Sequence, residues 1–369
     1  MNRILALNCG SSSLKYALFV GGSAELRGVV KHIGAGGAAD HGAAIRAVFE
    51  DLAKRGVKAP SAVGHRLVHG GPHHTEPTLV DRALLASLAK AIPFAPLHLP
   101  AELRAIEAAR VCFGDLPQVV CFDTTFHDTM PEVARRFPLP APMFDAGVRR
   151  YGFHGLSYEH VVDTIGVESL GRAVIAHLGS GASMAAVRDG KSIETTMGFT
   201  PTAGLVMGSR SGDLDPGLLV FLLAHEGFDA HSLGRLVNEQ AGLKALSGTT
   251  SNMAILLEDR ATSPHAAFAV EAFCYSARKA IGALAAVLGG VDTLVFTGGI
   301  GERAAPVRAE ICGPLRHLGI RIDARRNSNA EAIISDAESS CVVRVVEADE
   351  ERMIARHTAD ILAGAAPCR

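Results

Sequence analysis

The chain has no excess of charge of either sign: 36 Lys and Arg stand against 38 Asp and Glu, a formal net charge of −2. No basic field draws it to nucleic acid or to an anionic membrane, so small anionic substrates must be held by local cations. Paired cysteine motifs are missing as well. Seven cysteines (Cys9, Cys112, Cys121, Cys274, Cys312, Cys341, Cys368) are scattered, odd in number and without a C-x-x-C spacing. That pattern argues for reduced thiols in a cytosolic protein, not for a disulfide framework or a zinc site. Apolar runs end at charge or glycine well short of the ~20 residues a membrane helix needs. Met1-Asn2-Arg3 leads straight into a strand-like run, with neither signal nor transit character. The expectation is a cytoplasmic protein with no nucleic-acid and no membrane partner.

What remains is an ordinary globular balance, 48 % apolar and 20 % charged over 369 residues, enough for two domains with separate cores. Arg3–Leu7 and Leu14–Val20 are strand-like, with Asn8-Cys9-Gly10-Ser11-Ser12-Ser13 as turn chemistry between them. A third strand is expected at Glu25–Lys31, then a Gly/Ala-rich stretch and a helix to about Arg55. A similar hairpin returns in mid-chain: Ala173–His177, the small-residue turn Leu178–Ser183, Met184–Arg188, then Lys191–Thr195. With Ser183 set against Ser13, Met184 and Val187 fall opposite Leu14 and Ala17, which suggests an internal duplication. Two such domains would leave a cleft into which both turns point backbone N–H groups as anion-binding nests.

Further on, Pro264–Leu288 reads as a long Ala-rich helix, with Phe268, Phe273, Ala277, Ile281 and Leu284 at helical spacing and a stop at Gly289-Gly290. Asp292–Thr297 reads as a buried strand, Gly298–Glu302 as a glycine-rich turn and Ala304–Leu318 as a helix. The last helix, Asp349–Ala363, opens on Asp349, Glu350 and Glu351, which suits the positive end of a helix dipole.

Six segments carry polar residues beside glycines, where backbone approaches a ligand closely: Asn8–Lys15, Gly64–Gly71, Phe122–Pro131, Tyr151–Gly155, Met197–Pro216 and Phe296–Glu302. Arg66 and Arg210 stand in glycine-rich, non-helical settings that suit a bidentate clamp on carboxylate or phosphate, the alternative being a structural ion pair. His65, His69, His73 and His74 invite a metal reading, but Gly70-Gly71-Pro72 denies the helix that an H-x-x-x-H pair needs. His154, between Phe153 and Gly155, is placed to donate a hydrogen bond. Gly10–Lys15 is not a Walker A loop, since a strand follows it; its hydroxyls and Lys15 either grip a phosphate tail or form a plain hairpin turn. Gly299-x-Gly301-x-x-Ala304 comes close to a dinucleotide fingerprint, although a phosphate of ATP would fit the same helix start.

Together these segments resemble the acetate and propionate kinase family, within the actin-like, sugar-kinase-like superfamily, over nearly the whole chain and in the family's order. Leu-Asn-x-Gly-Ser-Ser-Ser-Leu-Lys-Tyr and Gly-His-Arg-x-Val-His-Gly-Gly are the most specific parts. The resemblance implies an α/β fold of two duplicated actin-like, ribonuclease-H-like domains around a central cleft. It implies reversible, direct in-line phosphoryl transfer from ATP to acetate, giving acetyl phosphate and ADP, with Mg²⁺ or Mn²⁺. Asn8, Ser11, Ser13 and Lys15 match the phosphate- and metal-facing turn, and Glu350 the acidic residue that helps hold the metal, with Glu351 beside it as the alternative register. Arg66 and Arg210 match the arginines on the carboxylate and the phosphoryl in flight, Asp123 the carboxylate between them, and His154 the histidine that stabilises the transition state. Val68, Leu97, Phe153 and Pro201 match the pocket for the acetate methyl. His177, Gly179, Gly181, Gly299, Ile300 and Gly301, with Asn252, fall where the family binds nucleotide.

The resemblance divides the chain into 1–125, with the helix 351–369 returning to it, and a nucleotide-binding and dimerisation domain at 126–350; a homodimer is expected. Three departures stand out. The family's His-Leu-Gly-Asn-Gly reads His177-Leu-Gly-Ser180-Gly, its His-Asn-Pro-x-Asn reads His98-Leu99-Pro100-Ala101-Glu102, and the loop whose Asp and Arg contact adenosine reads Thr250-Ser251-Asn252-Met253-Ala254. The alternatives are propionate or another short acid as acceptor, pyrophosphate as donor and, from other classes, an NAD-dependent oxidoreductase or a silent nucleotide-binding protein.

Overall fold

The structure, a computed structural model, describes residues 2–10, 13–34 and 36–364; the Ser11 and Cys368 expectations lie outside them. The chain forms two compact units. One takes residues up to Asp128, Gly155–His160 and the chain from Asp349; the other takes Thr129–His154 and Val161–Ala348.

The first unit is built on a six-stranded sheet: β1 (Arg3–Cys9), β2 (Ser13–Val20), β3 (Ser23–Lys31), β4 (Ala62–Leu67), β5 (Thr78–Leu79) and β6 (Gln118–Phe122). Their spatial order is β3-β2-β1-β4-β6-β5. The hairpins β1–β2 and β2–β3 are antiparallel, while β4 runs parallel to β1 and β6 to β4. Because side chains alternate along a strand, the same strands feed two cores. Leu5, Leu7, Leu14 and Leu18 pack against Ile45, Val48 and Leu52 of the helix His41–Lys54. Ile4, Ala6, Ala17 and Phe19 pack on the other face against Met353 and Ile354 of the helix Glu350–Leu362. Each fully buried side chain of this kind contributes about 1.5–3 kcal/mol. Gly64 in β4 is glycine for a packing reason, since a Cβ there would run into Thr358 and Ile354 of that helix.

The second unit repeats the plan with β7 (Ala173–Leu178), β8 (Ala182–Arg188), β9 (Lys191–Thr195), β10 (Thr293–Thr297) and β11 (Val342–Val345), ordered β11-β10-β7-β8-β9. Again two antiparallel hairpins lead, and two parallel strands follow on the other side. The duplication suggested by the two glycine-rich hairpins is therefore a duplication of topology. It also removes the dinucleotide reading of Gly299–Ala304. That fold needs parallel crossover units, whereas β7 carries an antiparallel hairpin on one side.

Five local expectations are corrected. Asn8 and Cys9 belong to β1, not to the turn, because they pair with Lys15 and Leu14. The third strand starts earlier, at Ser23. Gly298–Glu302 is not a turn: after Gly298, at φ 76°, the chain winds into the helix Gly298–Arg303. The single helix expected over Ala304–Leu318 is two, Ala305–Cys312 and a 3-10 turn Gly313–Leu318, because Pro314 lacks an amide donor. The helix Pro264–Leu288 forms as expected and buries Phe273, Ala277, Ile281 and Leu284. Phe268, however, is 56 % exposed. It lies five residues before Phe273, which is about 140° round the helix.

Candidate active-site residues in each unit

In the first unit one rung of the sheet carries Lys15, Asn8, Arg66 and Cys121 on neighbouring strands. Asn8 and Arg66 thus stand side by side near the ends of two parallel strands. Arg66 donates to Oδ2 of Asp123 through Nε at 3.1 Å and through Nη2, and to the Cys9 carbonyl through Nη1 at 2.9 Å. Asp123 follows β6 directly and is held by its own N–H to the Leu67 carbonyl at 3.0 Å. Burial works against the Arg66 charge, but Asp123 outweighs it by charge and hydrogen bonds, and the guanidinium is held above its ordinary range.

Asn8 also meets both glutamates of the register left open, Glu350 and Glu351. Its Nδ2 donates to both, to Glu350 Oε2 at 2.7 Å and to Glu351 Oε1 at 2.8 Å. The final helix begins at Glu350, and Asp349 is its N-cap, accepting from Arg352 N at 3.1 Å. Arg27 of β3 holds Asp349 with two bonds of 3.0 and 2.6 Å. Burial first, and then the charge of Glu350, push the Glu351 carboxyl above its usual range, against the pull of Asn8 and Lys15. Two crowded carboxylates beside an amide are a hard-oxygen set that a divalent cation would relieve. No group of three or more His, Cys, Asp or Glu side chains gathers for a metal among the described residues.

The remaining first-unit residues are placed as follows. Ser13 opens β2 and its carbonyl accepts from Gly10 N at 2.8 Å, while His41 Nε2 lies 2.8 Å from the Gly10 carbonyl. Lys15 is exposed. Val68 is buried, whereas Leu97 is 55 % exposed. Of the clustered histidines, His65 Nε2 lies 2.7 Å from Gln118 Oε1, His69 Nδ1 accepts from Gly71 N at 2.7 Å, and His74 Nε2 lies 2.8 Å from Ser87 Oγ.

In the second unit the side chains converge on Gly181. A Cβ at that position would stand 3.3 Å from Arg210 Nη1 and 3.4 Å from His154 Nε2. His154 adopts a left-handed backbone, φ 61°, at the start of the helix Gly155–Ile165. It stacks on His177 with ring centroids 4.2 Å apart, and its Nδ1 lies 2.8 Å from Ser183 Oγ. Arg210 Nη1 donates to the Pro201 carbonyl at 3.1 Å, which ties the arginine to the residue expected at the methyl pocket. Its loop is fixed by Gly208 N on the Ser180 carbonyl at 2.9 Å and Leu243 N on the Met207 carbonyl at 2.8 Å. Phe153 is buried beside His154 in the chain. Gly179 N closes the β7–β8 turn on the Gly181 carbonyl at 3.0 Å.

Gly298 lies against the Leu178 backbone, where a side chain would clash, and so sets Gly299, Ile300 and Gly301 at the end of β10. Asn252 caps the helix Met253–Asp259, with its Oδ1 accepting from Ala254 N at 3.0 Å.

Sequence reasoning named Ser183 and Glu102 without giving either a role in the site, and it passed over Gly242. Ser183 had a usable signal, as the counterpart of Ser13. Gly242 had none: at φ 62°, it passes so close to the Met207 and Arg210 carbonyls that no side chain fits.

The chain matches the Acetokinase family over residues 22–356. It is 40 % identical over 395 residues to an acetate kinase of Phocaeicola vulgatus, across 98 % of this chain and 99 % of that protein. The crystal structure of acetate kinase from Porphyromonas gingivalis matches with TM-score 0.87 at 36 % identity, over 98 % of this chain and 100 % of that one. A propionate kinase from Francisella tularensis matches with TM-score 0.89 at 33 % identity, over the same shares. With the duplicated sheets and near-complete coverage at these identities, the chain belongs to the acetokinase family and is a kinase that phosphorylates the carboxyl group of acetate.

Proposed function

We propose that the donor is ATP, that Mg²⁺ is the working cation, and that the phosphoryl group passes directly to acetate without a phosphoenzyme. The convergence of Arg210 and His154 on Gly181 carries this reading: a cation and a ring nitrogen flank a turn that has no side chain of its own. Acetate is already ionised near neutral pH, since a comparable carboxyl has a pKa of ~4.3. No general base is needed. The barrier is repulsion between an anionic nucleophile and an anionic phosphoryl group, so charge neutralisation and in-line alignment do the catalysis. Arg66, oriented by Asp123, holds the acetate carboxylate. Arg210 and His154 meet the phosphoryl oxygens, His177 supporting the His154 ring from one face. A divalent ion held by Asn8, Glu350 and Glu351 would supply positive charge against the phosphate oxygens. Ser11, Ser13, Lys15, Gly179, Gly181 and Gly299–Gly301 receive the phosphate tail and nucleotide.

The adenosine side is expected to be less selective than the phosphate side. The Asn252 side-chain oxygen is engaged in capping its own helix, and Ala254 offers no cation. Val68, Leu97, Phe153 and Pro201 are the residues assigned to the acyl methyl. Likeness to a propionate kinase favours propionate as a second acceptor, because one methylene in an apolar pocket separates substrates by only ~1–3 kcal/mol.

We further propose a cytoplasmic homodimer. The helix Pro216–His225 supports the dimer, since Leu218, Val220, Phe221 and Leu223 are all exposed on it. Among the described residues no helix is long and apolar enough to cross a membrane. A hydroxamate assay for acyl phosphate tests the reading, with ATP, GTP or pyrophosphate as donor and acetate or propionate as acceptor. Product is expected with ATP, less with GTP and none with pyrophosphate; product with pyrophosphate alone would overturn the ATP assignment.

A further inference from the structure

Glu102 lies in the first turn of the helix Leu99–Phe113 and is 3 % exposed. Both its oxygens accept from one donor, the Val68 N–H, at 3.2 and 3.1 Å. The phosphoryl-transfer chemistry does not use it. A carboxylate has about four acceptor sites, so a single shared backbone bond leaves a buried anion poorly compensated. Burial accordingly pushes the Glu102 carboxyl up to about 8, with Arg66 and then the Val68 N–H pulling it down and Asp123 adding to the rise. The groups coupled to it by charge are Arg66 from β4, Asp123 from the end of β6, and the Cys9 thiol from β1, which burial and then Glu102 push up to about 12.

We propose that Glu102 is a positioning residue for the carboxylate substrate: it fixes the Val68 main chain and adds a third ionisable group to the Arg66–Asp123 pair, so its charge state sets how strongly the guanidinium holds an incoming carboxylate. The proposal rests on the assignment of Arg66 to acetate. As a neutral acid, Glu102 leaves Arg66 opposed by Asp123 and by Glu350. As an anion, it adds a further negative charge acting on the guanidinium that receives acetate. Linkage then works both ways, and bound acetate holds the proton on Glu102.

KM for acetate and kcat are measured from about pH 6.5 to 9.5 at saturating ATP and Mg²⁺, for the wild-type chain and Glu102→Gln. Glutamine keeps an oxygen for the Val68 N–H and cannot ionise. Wild-type KM is expected to rise about tenfold through the Glu102 titration, with kcat changed less than about twofold, while the variant's KM stays flat. A second measurement needs neither turnover nor a variant: the ¹³C-carboxyl titration of Glu102 in the intact chain, with and without acetate. Acetate is expected to move that titration to higher pH. No alkaline rise in wild-type KM, the same rise in Glu102→Gln, or a titration unmoved by saturating acetate would overturn the proposal. A chain that makes no acetyl phosphate at any pH would instead overturn the assignment of the site, and the titration would still decide the role of Glu102.

Discussion

Arg66 places two of its nitrogens on the same oxygen of Asp123, Oδ2, and its third on the Cys9 carbonyl. The guanidinium is thus aimed by a buried acid, and its position does not depend on substrate. Breaking a buried pair by removing one partner costs about 3–5 kcal/mol, because the other charge stays buried. Asp123→Ala is expected to lose that much stability by urea unfolding, together with nearly all turnover. Asp123→Asn is expected to lose turnover with a smaller stability cost.

Arg210 Nη1 donates to a main-chain acceptor, the Pro201 carbonyl. Arg210→Ala is expected to fold normally by circular dichroism and thermal melting. Its kcat is expected to fall roughly 10²–10³-fold or more, the usual loss when a preorganised transition-state donor is removed. Near-wild-type activity would remove Arg210 from the phosphoryl group.

Gly181 tests the convergence directly. Its φ lies outside the left-handed region, so alanine is tolerated by the backbone, and the new Cβ would sit 3.3 Å from Arg210 Nη1 and 3.4 Å from His154 Nε2. Gly181→Ala is expected to keep its melting temperature and lose about 10–100-fold in kcat/KM through misplacement of the two side chains. A variant with normal kinetics would mean that nothing is bound at that turn.

His65 gives a pH dependence whose sign follows from burial. Desolvation, only partly offset by the Gln118 hydrogen bond, lowers its pKa from 6.5 to about 4. The folded state holds the neutral ring while the unfolded chain takes up a proton below about 6.5, so stability falls as pH drops from there toward about 4. The loss from this residue is expected to be about 3 kcal/mol. An imidazole NMR titration checks it: the His65 ring is expected to stay neutral at pH values where exposed histidines are protonated.

The exposed helix Pro216–His225 gives an assembly prediction. Phe221→Glu, which puts a charge where Val220 and Phe221 are 65 % and 48 % exposed, is expected to halve the mass in light scattering coupled to gel filtration. A wild-type chain that is already monomeric at micromolar concentration would contradict the dimer.

Much of this architecture is legible in the sequence, because it depends on local chemistry. The two hairpins show as apolar alternation around Gly/Ser turns, and the helix Pro264–Leu288 shows as helical spacing between a proline start and a Gly-Gly stop. The failures are also local in origin. Gly298–Arg303 reads as a turn because three glycines mask a helix that begins only after Gly298 has cleared the Leu178 backbone. In the site, side chains that belong to recognisable motifs stand out. Contacts between residues far apart in sequence do not: Asn8 meets Glu350 and Glu351 across nearly the whole chain. Glu102 reaches Val68 through a backbone bond that no residue pattern announces.

The central claim is that ATP phosphorylates the acetate carboxylate directly, with Arg66 acting on the carboxylate and Arg210 on the phosphoryl group. The most direct test is single-turnover transfer from γ-³²P-ATP with Mg²⁺, with and without acetate, followed by separation of protein from small molecules. Label is expected to appear in acetyl phosphate at the rate it leaves ATP, with none on the protein. Label on the protein that chases into acetyl phosphate, or no acetyl phosphate at all, would contradict the account.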